Sequence, residues 1–524
     1  MDSAFIRMLI SSKTREKFRK MYDRWVLYRW AFMNNDTQLV KKSCGPIDAI
    51  HLLPTDNIGV EALLKIRDVY VFEDKNIEGV LESFQWLNTN HKKWFRHPIF
   101  PKEFLHMPLF VIPPAFYVTY VDTNIRDIMI EQAKLYSGLL SGWYTTLPLT
   151  PSLNPLKKRI GFLSLTIAVH SVGRVIYGLI ERLSKHFEVY VYIDEHKYHD
   201  DAIIDILRLN VKLFKILPNL QDNVQLIVSH RLSTMIYPDP LEDMTTYIFG
   251  CHRLAPVQIS TWGHPGTTGL PFIDYYVTSK NFKDSQEFYS EKLIEFDSLS
   301  IYYEHLNRLL RPITEPNLDI LPYLDSRKPG MGRERFGIPV KGKNIYGTVG
   351  PPCKFSPEFI ATVREILDKD PDGILVLTHN HTVKIHERCI ILPPRPLEIL
   401  EFSLYIHSCD VILDSFPFGG LISAYDTFTV GRCLIVLQCN RLGRFAAGFY
   451  RYMGLEDLIA KDPDDYVEKA LRITHDPSFR RAIENRIRQN VNKIHSDEAT
   501  VRDWVQLINT YVPMINGPVD TNYV

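Results

Sequence analysis

Twice along this chain a short apolar run gives way to an amphipathic stretch and then to a second apolar run. In the first cycle Arg159-Ile-Gly-Phe-Leu-Ser164 has the length and composition of a buried strand. Ser171 to Lys185 has the spacing of an amphipathic helix, and Phe187-Glu-Val-Tyr-Val-Tyr192 reads as a second strand. Strand, helix and strand in that order require a right-handed crossover and therefore a parallel sheet. Weaker strands are predicted at 211–216 and 224–228, and the pattern continues at Ile273-Asp-Tyr-Tyr-Val277 and Leu293-Ile-Glu-Phe296. The second cycle opens with Asn344-Ile-Tyr-Gly-Thr-Val349, passes through a helix over 357–368, and returns as strands at 373–377, 411–414 and 433–437. The expected class is α/β, with two doubly wound units facing a cleft. The first covers 157–306 and the second 342–476, with a stretch rich in proline and glycine between them.

The flanks read differently. Residues 1–150 carry helical spacing at 15–32 and 124–140, with proline-marked segments between, and show no period near 34 residues. A mostly helical module is predicted there. Three prolines in Leu147-Pro-Leu-Thr-Pro-Ser-Leu-Asn-Pro155 mark its boundary. Residues 477–515 read as helices that pack back. The 61 basic and 61 acidic side chains cancel, which removes the electrostatic case for a nucleic-acid or anionic-membrane binder. The most apolar stretch, 107–121, contains three prolines and falls short of the roughly 20 residues a bilayer span needs. No secretory leader is read at the N-terminus. Seven cysteines, with no CxxC pair, suggest free thiols in a reducing compartment rather than disulfides or a zinc site. The expected location is cytoplasmic.

Four segments carry candidate chemistry. Asp414-Ser-Phe-Pro-Phe-Gly-Gly-Leu-Ile-Ser-Ala-Tyr-Asp426 leaves a strand and opens a helix. Gly419 and Gly420 allow close backbone approach to a ligand, and the amides of Leu421, Ile422 and Ser423 would offer a diphosphate a helix N-terminus. Asp426, one turn in, is placed to accept bonds from ribose hydroxyls. The plainer alternative is a tight turn with ordinary helix-start residues. Arg253-Leu-Ala-Pro-Val-Gln-Ile-Ser-Thr-Trp-Gly-His-Pro-Gly-Thr-Thr-Gly269 leads a strand into a loop where His264, Pro265, Gly266 and Thr267 could shape an acceptor pocket. His170 lies between the first strand and first helix, where it could orient an acceptor or move a proton. Lys354 lies between strand and helix in the second unit, where a cation can neutralise charge on a departing diphosphate. Asp370-Pro-Asp372 and Asp462-Pro-Asp464 look like solvent turns rather than metal sites, and no metal ligand is assigned.

Taken in order, these segments resemble the catalytic region of the O-linked N-acetylglucosamine transferase family, glycosyltransferase family 41. That family includes SPINDLY-type enzymes and bacterial cytoplasmic N-glucosyltransferases. The resemblance also rests on Tyr289-Ser-Glu-Lys-Leu293, Lys354-Phe-Ser-Pro357 and Met453-Gly-Leu-Glu-Asp-Leu-Ile-Ala460, and it spans about 157–515. It implies two Rossmann-like domains of GT-B type, a UDP-sugar donor carrying GlcNAc or glucose, a protein or peptide acceptor, inversion at the anomeric carbon and no metal. It places Lys354 on the diphosphate, Asp426 on the ribose and His170 near the reacting centre. Several positions depart from the family. Pro351 stands where a glutamine is frequent, and Leu421-Ile-Ser423 replaces a His-Thr-Thr run. Ile399 and Phe402 stand where other members have a lysine and a histidine at the nucleotide, and Arg395 is the nearby residue able to compensate. A sugar-nucleotide epimerase would share the architecture, but its paired carboxylates are absent from these motifs. The other alternative is a catalytically silent relative that binds nucleotide-sugars or partners.

Overall fold

The computed structural model describes residues 77–94, 117–140, 157–193, 201–216, 220–242, 244–305, 307–310, 324, 331–351, 354–378, 385–392, 397–439 and 444–511. Two helices precede the sheets, α1 (Ile77–Trp94) and α2 (Arg126–Leu140). They pack on each other, and Asn88 donates to Glu131 Oε2 at 2.7 Å across the contact. The helix anticipated at 15–32 lies outside the described residues.

The first α/β half has strands β1 (Arg159–Leu163), β2 (Glu188–Ile193), β3 (Lys212–Lys215), β4 (Thr234–Tyr237), β5 (Val257–Ser260), β6 (Tyr275–Ser279) and β7 (Lys292–Phe296). Helices α3 (Ser171–Leu183), α4 (Ala202–Arg208), α5 (Leu220–Ser229) and α6 (Met244–Gly250) join the first five. All pairs are parallel, in the order β3-β2-β1-β4-β5-β6-β7. The near-continuous apolar runs follow from burial on both faces: four of the five residues of β1 are buried.

The second half repeats the plan with β8 (Asn344–Thr348), β9 (Gly373–Leu377), β10 (Cys389–Ile391), β11 (Val411–Leu413), β12 (Leu434–Leu437) and β13 (Ile459–Ala460). They are parallel in the order β10-β9-β8-β11-β12-β13. The helices here are α7 (Pro357–Lys369), α8 (Ile399–Ser408), α9 (Ile422–Thr429), α10 (Arg444–Met453), α11 (Pro463–His475), α12 (Pro477–Asn490) and α13 (Glu498–Tyr511). Ser356 starts α7 by accepting from Phe359 N–H at 3.0 Å, with Pro357 in the first turn. Asp462 starts α11 the same way, and Asp370 accepts from Tyr346 Oη and the Asn344 amide, so each Asp-Pro-Asp segment has a structural task.

One sequence expectation is corrected. Residues 224–228 belong to helix α5, and the strand that fills this place in the sheet is β4, ten residues later. The run Gln-Leu-Ile-Val has strand composition. Val224 and Ile227 nevertheless bear the helical spacing that the fold uses, with Ile227 fully buried.

The chain crosses back at its end. Helix α12 stays with the second half, where Arg480 pairs with Asp410 at 2.7 Å. Helix α13 returns to the first half and buries Trp504, whose Nε1 donates to Ser300 O at 2.9 Å. The halves also meet directly. Trp262 and Phe282 of the first pack edge-on against Phe445 of α10.

Candidate active site

Each sheet reverses strand order once, between β1 and β4 in the first and between β8 and β11 in the second. Loops leaving the two central strands on either side of such a reversal diverge and leave a crevice at the carboxyl ends. The segments after β1, β4, β8 and β11 carry His170, Glu242, Lys354 and Asp414-to-Gly420 respectively. A cleft of about 320 Å³ opens where the halves face each other.

The floor of the second half is the loop from Asp414 to Gly420. Asp414 Oδ1 accepts from Gly420 N–H at 2.8 Å, Ser415 Oγ donates to Phe418 O at 2.8 Å, and Ser356 Oγ donates to Phe416 O at 2.7 Å. Gly420 makes a close approach: a methyl group there would lie 1.9 Å from Ser423 Oγ, so the serine side chain would have to turn away. Helix α9 then begins without a side-chain cap. Ile422 and Ser423, in its first turn, line the cleft, at the end of the helix that carries partial positive charge. A helix start of this kind can hold an anion.

Lys354 lies on the same cleft. Its Nζ stands 4.8 Å from the centre of the Phe418 ring and 5.9 Å from that of Tyr120, and those two rings are 4.4 Å apart. Tyr120 comes from the turn Tyr117–Tyr120 ahead of α2, outside both α/β halves. The neighbouring Thr119 bonds His264 Nε2 at 2.8 Å. Burial, helped by the charge of Lys354, pushes His264 down to about 3, so its ring is neutral at physiological pH. Burial also raises Asp414, to about 7, against the opposing pull of Gly420 N–H and Lys354.

His170 caps α3 by accepting from Val172 N–H through Nδ1 at 3.4 Å. In the neutral ring that bond leaves the hydrogen on Nε2, the atom that lies 3.7 Å from Glu242 Oε1. The imidazole is about a third exposed, and His170 is not itself among the residues that line the cleft, although its neighbour Ser171 and its partner Glu242 are. Asp426 is buried against the first half. It takes Arg174 Nη2 on Oδ1 and Nη1 on Oδ2, at 2.5 and 3.2 Å, and Tyr303 Oη on Oδ1 at 2.7 Å.

Of the residues singled out from sequence, the fold gathers Lys354, His264, Pro265, Leu421, Ile422, Ser423 and Asp426 on one cleft wall or another. Gly419 and Gly420 shape the loop behind them. Gly266 and Thr267 do not line the cleft, contrary to expectation. Thr267 instead turns its hydroxyl to Glu291 at 2.6 Å, where it satisfies a buried carboxylate. Arg395 lies outside the described residues. Ile399 and Phe402 do line the cleft, beside Leu397, and give that end an apolar wall. Sequence reading misses Arg174, Tyr303, Glu242, Thr119 and Tyr120. Arg174 alone carries a local signal, an arginine inside an otherwise apolar helix face whose neighbours Gly173 and Val175 are buried.

No protein-family model matches the chain. It is 25% identical over 273 residues to the UDP-glucose:protein N-beta-glucosyltransferase of Actinobacillus pleuropneumoniae serotype 5b, a match covering 47% of this chain and 39% of that protein. It is 25% identical over 241 residues to a probable UDP-N-acetylglucosamine–peptide N-acetylglucosaminyltransferase SPINDLY of Solanum lycopersicum, covering 43% and 24% respectively. The matched stretch thus spans well under half of either relative. Among solved structures, a point mutant of the Thermobaculum terrenum O-GlcNAc transferase superposes with a TM-score of 0.59 at 18% identity. That match covers 95% of this chain and 99% of the other, and it shows a common GT-B fold. The relatives are of the kind the motif order resembles.

Proposed function

We propose that this chain is a glycosyltransferase that moves a sugar, GlcNAc or glucose, from a UDP-sugar to a protein side chain, with inversion and without a metal. The observation that carries the reading is the convergence of Lys354 and the uncapped start of α9 on one interdomain cleft. The relatives' named activities support the donor and acceptor classes. In a single displacement the acceptor atom attacks the anomeric carbon from the face opposite the diphosphate, UDP leaves with the bonding pair, and the proton the acceptor gives up passes to the departing diphosphate or to water. The Ile422 and Ser423 amides hold the diphosphate, and Lys354 stabilises the charge that grows on it. Asp426 accepts from the ribose. His170, fixed by its capping bond, orients the acceptor at the rim. Metal independence is supported by the structural tasks of both Asp-Pro-Asp segments. The five described cysteines are free, which suits a reducing compartment such as the cytoplasm. Among the described residues no helix is long and apolar enough to cross a membrane.

The test pairs calorimetric binding of UDP, UDP-glucose and UDP-GlcNAc with single-turnover transfer to a peptide. Lys354→Ala should keep donor binding within about tenfold and lose about 10²–10³ in turnover, because the cation acts on charge developed in the transition state. Chelator should leave turnover unchanged. Binding of none of the three ligands, or near-normal turnover in Lys354→Ala, overturns the reading; loss on chelation restored by Mn²⁺ overturns the metal-free step.

A further inference from the structure

We infer that Arg174 and Tyr303, both carried by the first α/β half, are positioning residues that aim the Asp426 carboxylate of the second half at a single ribose hydroxyl. The inference rests on the proposed role of Asp426 in binding the donor's ribose.

The geometry is specific. Arg174 is 252 residues from Asp426 in sequence, yet it grips both carboxylate oxygens with the two ends of its guanidinium fork. Tyr303 donates to Oδ1 and also contacts the Arg174 guanidinium. Its own ring is fixed by stacking on Tyr425, the residue before Asp426, with centroids 4.2 Å apart and planes 12° from parallel. All three side chains are buried, Arg174 at 8% and Asp426 at 2% exposure, and Arg174 and Asp426 both belong to the cleft wall. Burial alone would lower the pKa of Arg174, but the carboxylate and Tyr303 outweigh it and keep the fork protonated. Burial keeps the Tyr303 hydroxyl protonated as a donor.

Counting acceptor sites sharpens the claim. A carboxylate has about four lone-pair sites, two per oxygen. Oδ1 is filled by Arg174 Nη2 and Tyr303 Oη, and Oδ2 receives Arg174 Nη1. One site remains, on Oδ2. A ribose offers two vicinal hydroxyls, so a carboxylate held in this way reads one of them. Because the hold comes from the opposite half, the ribose subsite is complete only when the two halves are in contact.

The experiment measures calorimetric affinity for UDP, 2′-deoxy-UDP and 3′-deoxy-UDP in the full chain. The wild type should lose tenfold or more with one deoxy analogue and less than threefold with the other. Asp426→Asn should reduce the larger ratio toward one. Tyr303→Phe keeps the stacked ring but removes one donor, and Arg174→Lys keeps charge but not the fork. Each should cut the larger selectivity ratio at least threefold. A structural role alone weakens UDP and both analogues equally and leaves the ratio intact, and that result overturns the inference. If Arg174→Lys does not fold, Tyr303→Phe decides. A wild type that binds UDP but ignores both deletions removes the ribose role of Asp426, and the inference with it. Selectivity that vanishes in Asp426→Asn but survives in both other variants removes the inference alone.

Discussion

Asp414 shows how one side chain can serve the fold and set a pH dependence. Buried beneath the loop that begins α9, it holds Gly420 N–H, and burial raises its pKa to about 7. An unfolded aspartate releases its proton near pH ~3.9. Between about pH 4 and 7 the folded chain therefore binds more protons than the unfolded one, and this group's contribution to stability falls as pH rises through that window and is level above it. The same ionisation places a negative charge next to a bound diphosphate. At an effective dielectric of about 20, like unit charges on the order of 10 Å apart repel by about 1–2 kcal/mol. UDP-sugar affinity, measured by calorimetry, should fall about five- to thirtyfold between pH 6 and pH 8. The sugar-linked diphosphate does not itself titrate there, so the change belongs to the protein. Asp414→Asn keeps an oxygen for Gly420 and should flatten the profile; a slope preserved in that variant assigns the titration to another group. The sequence marks Lys354 because it sits where a strand gives way to a helix, and Asp426 because it lies one turn into the helix that follows such a junction. It is silent on Asp414 as a titrating group, since burial among Lys354, Gly420 and Tyr466 is a property of the assembled loop.

At the scale of elements, the turn ahead of the first sheet lends Tyr120 to the cleft, and the helix that follows it packs on the first half. Helix α2 lies against the loop after β5, and Gly269 is the contact point. Its φ is +71°, and a methyl group there would lie 2.1 Å from the Met129 carbonyl oxygen, a backbone atom that cannot rotate away. Gly269→Ala should cost more than the ~1–2 kcal/mol of a left-handed alanine. It should also lever α2 off the loop and carry Thr119 and Tyr120 away from His264 and Lys354. Limited proteolysis should then cut the variant between 117 and 140 faster than the wild type, with weaker UDP-sugar transfer. An unchanged cleavage rate would mean that α2 is held elsewhere. Most strands and the long amphipathic helices are readable because their apolar spacing is a direct consequence of burial. The α5–β4 region is not, because Leu-Ile-Val suits either element and only the sheet's order decides which four residues fill the place beside β1. The docking of Tyr120 is unreadable for a different reason. It depends on a tertiary contact between segments nearly 300 residues apart, Tyr120 with Phe418, and neither carries a local periodic signal.

At the scale of the whole molecule, the last helix among the described residues, α13, ties the second half back to the first. Between α12 and α13 the chain passes Tyr303, where Ser496 N–H donates to Tyr303 O at 2.9 Å, and α13 then packs on the first half. Trp504 anchors it, fully buried, edge-on to Phe296 and bonded to Ser300 O. Truncating a buried tryptophan of this kind removes about 3–5 kcal/mol. Trp504→Ala should therefore lower the melting midpoint. The consequence should also reach the cleft, since the segment that α13 holds down is hydrogen-bonded to the backbone of Tyr303, and Tyr303 holds Asp426. A ligand that binds only the folded state raises the midpoint in proportion to RT ln(1 + [L]/Kd). At a fixed concentration of UDP-sugar the rise should be smaller in Trp504→Ala than in wild type, in addition to the lower starting point. Thermal melts of both proteins with and without donor measure the two effects separately. A lowered midpoint with an undiminished donor-induced rise would confine α13 to stabilising the first half. A reduced rise would tie the end of the chain, through Ser496 and Tyr303, to the carboxylate that reads the donor.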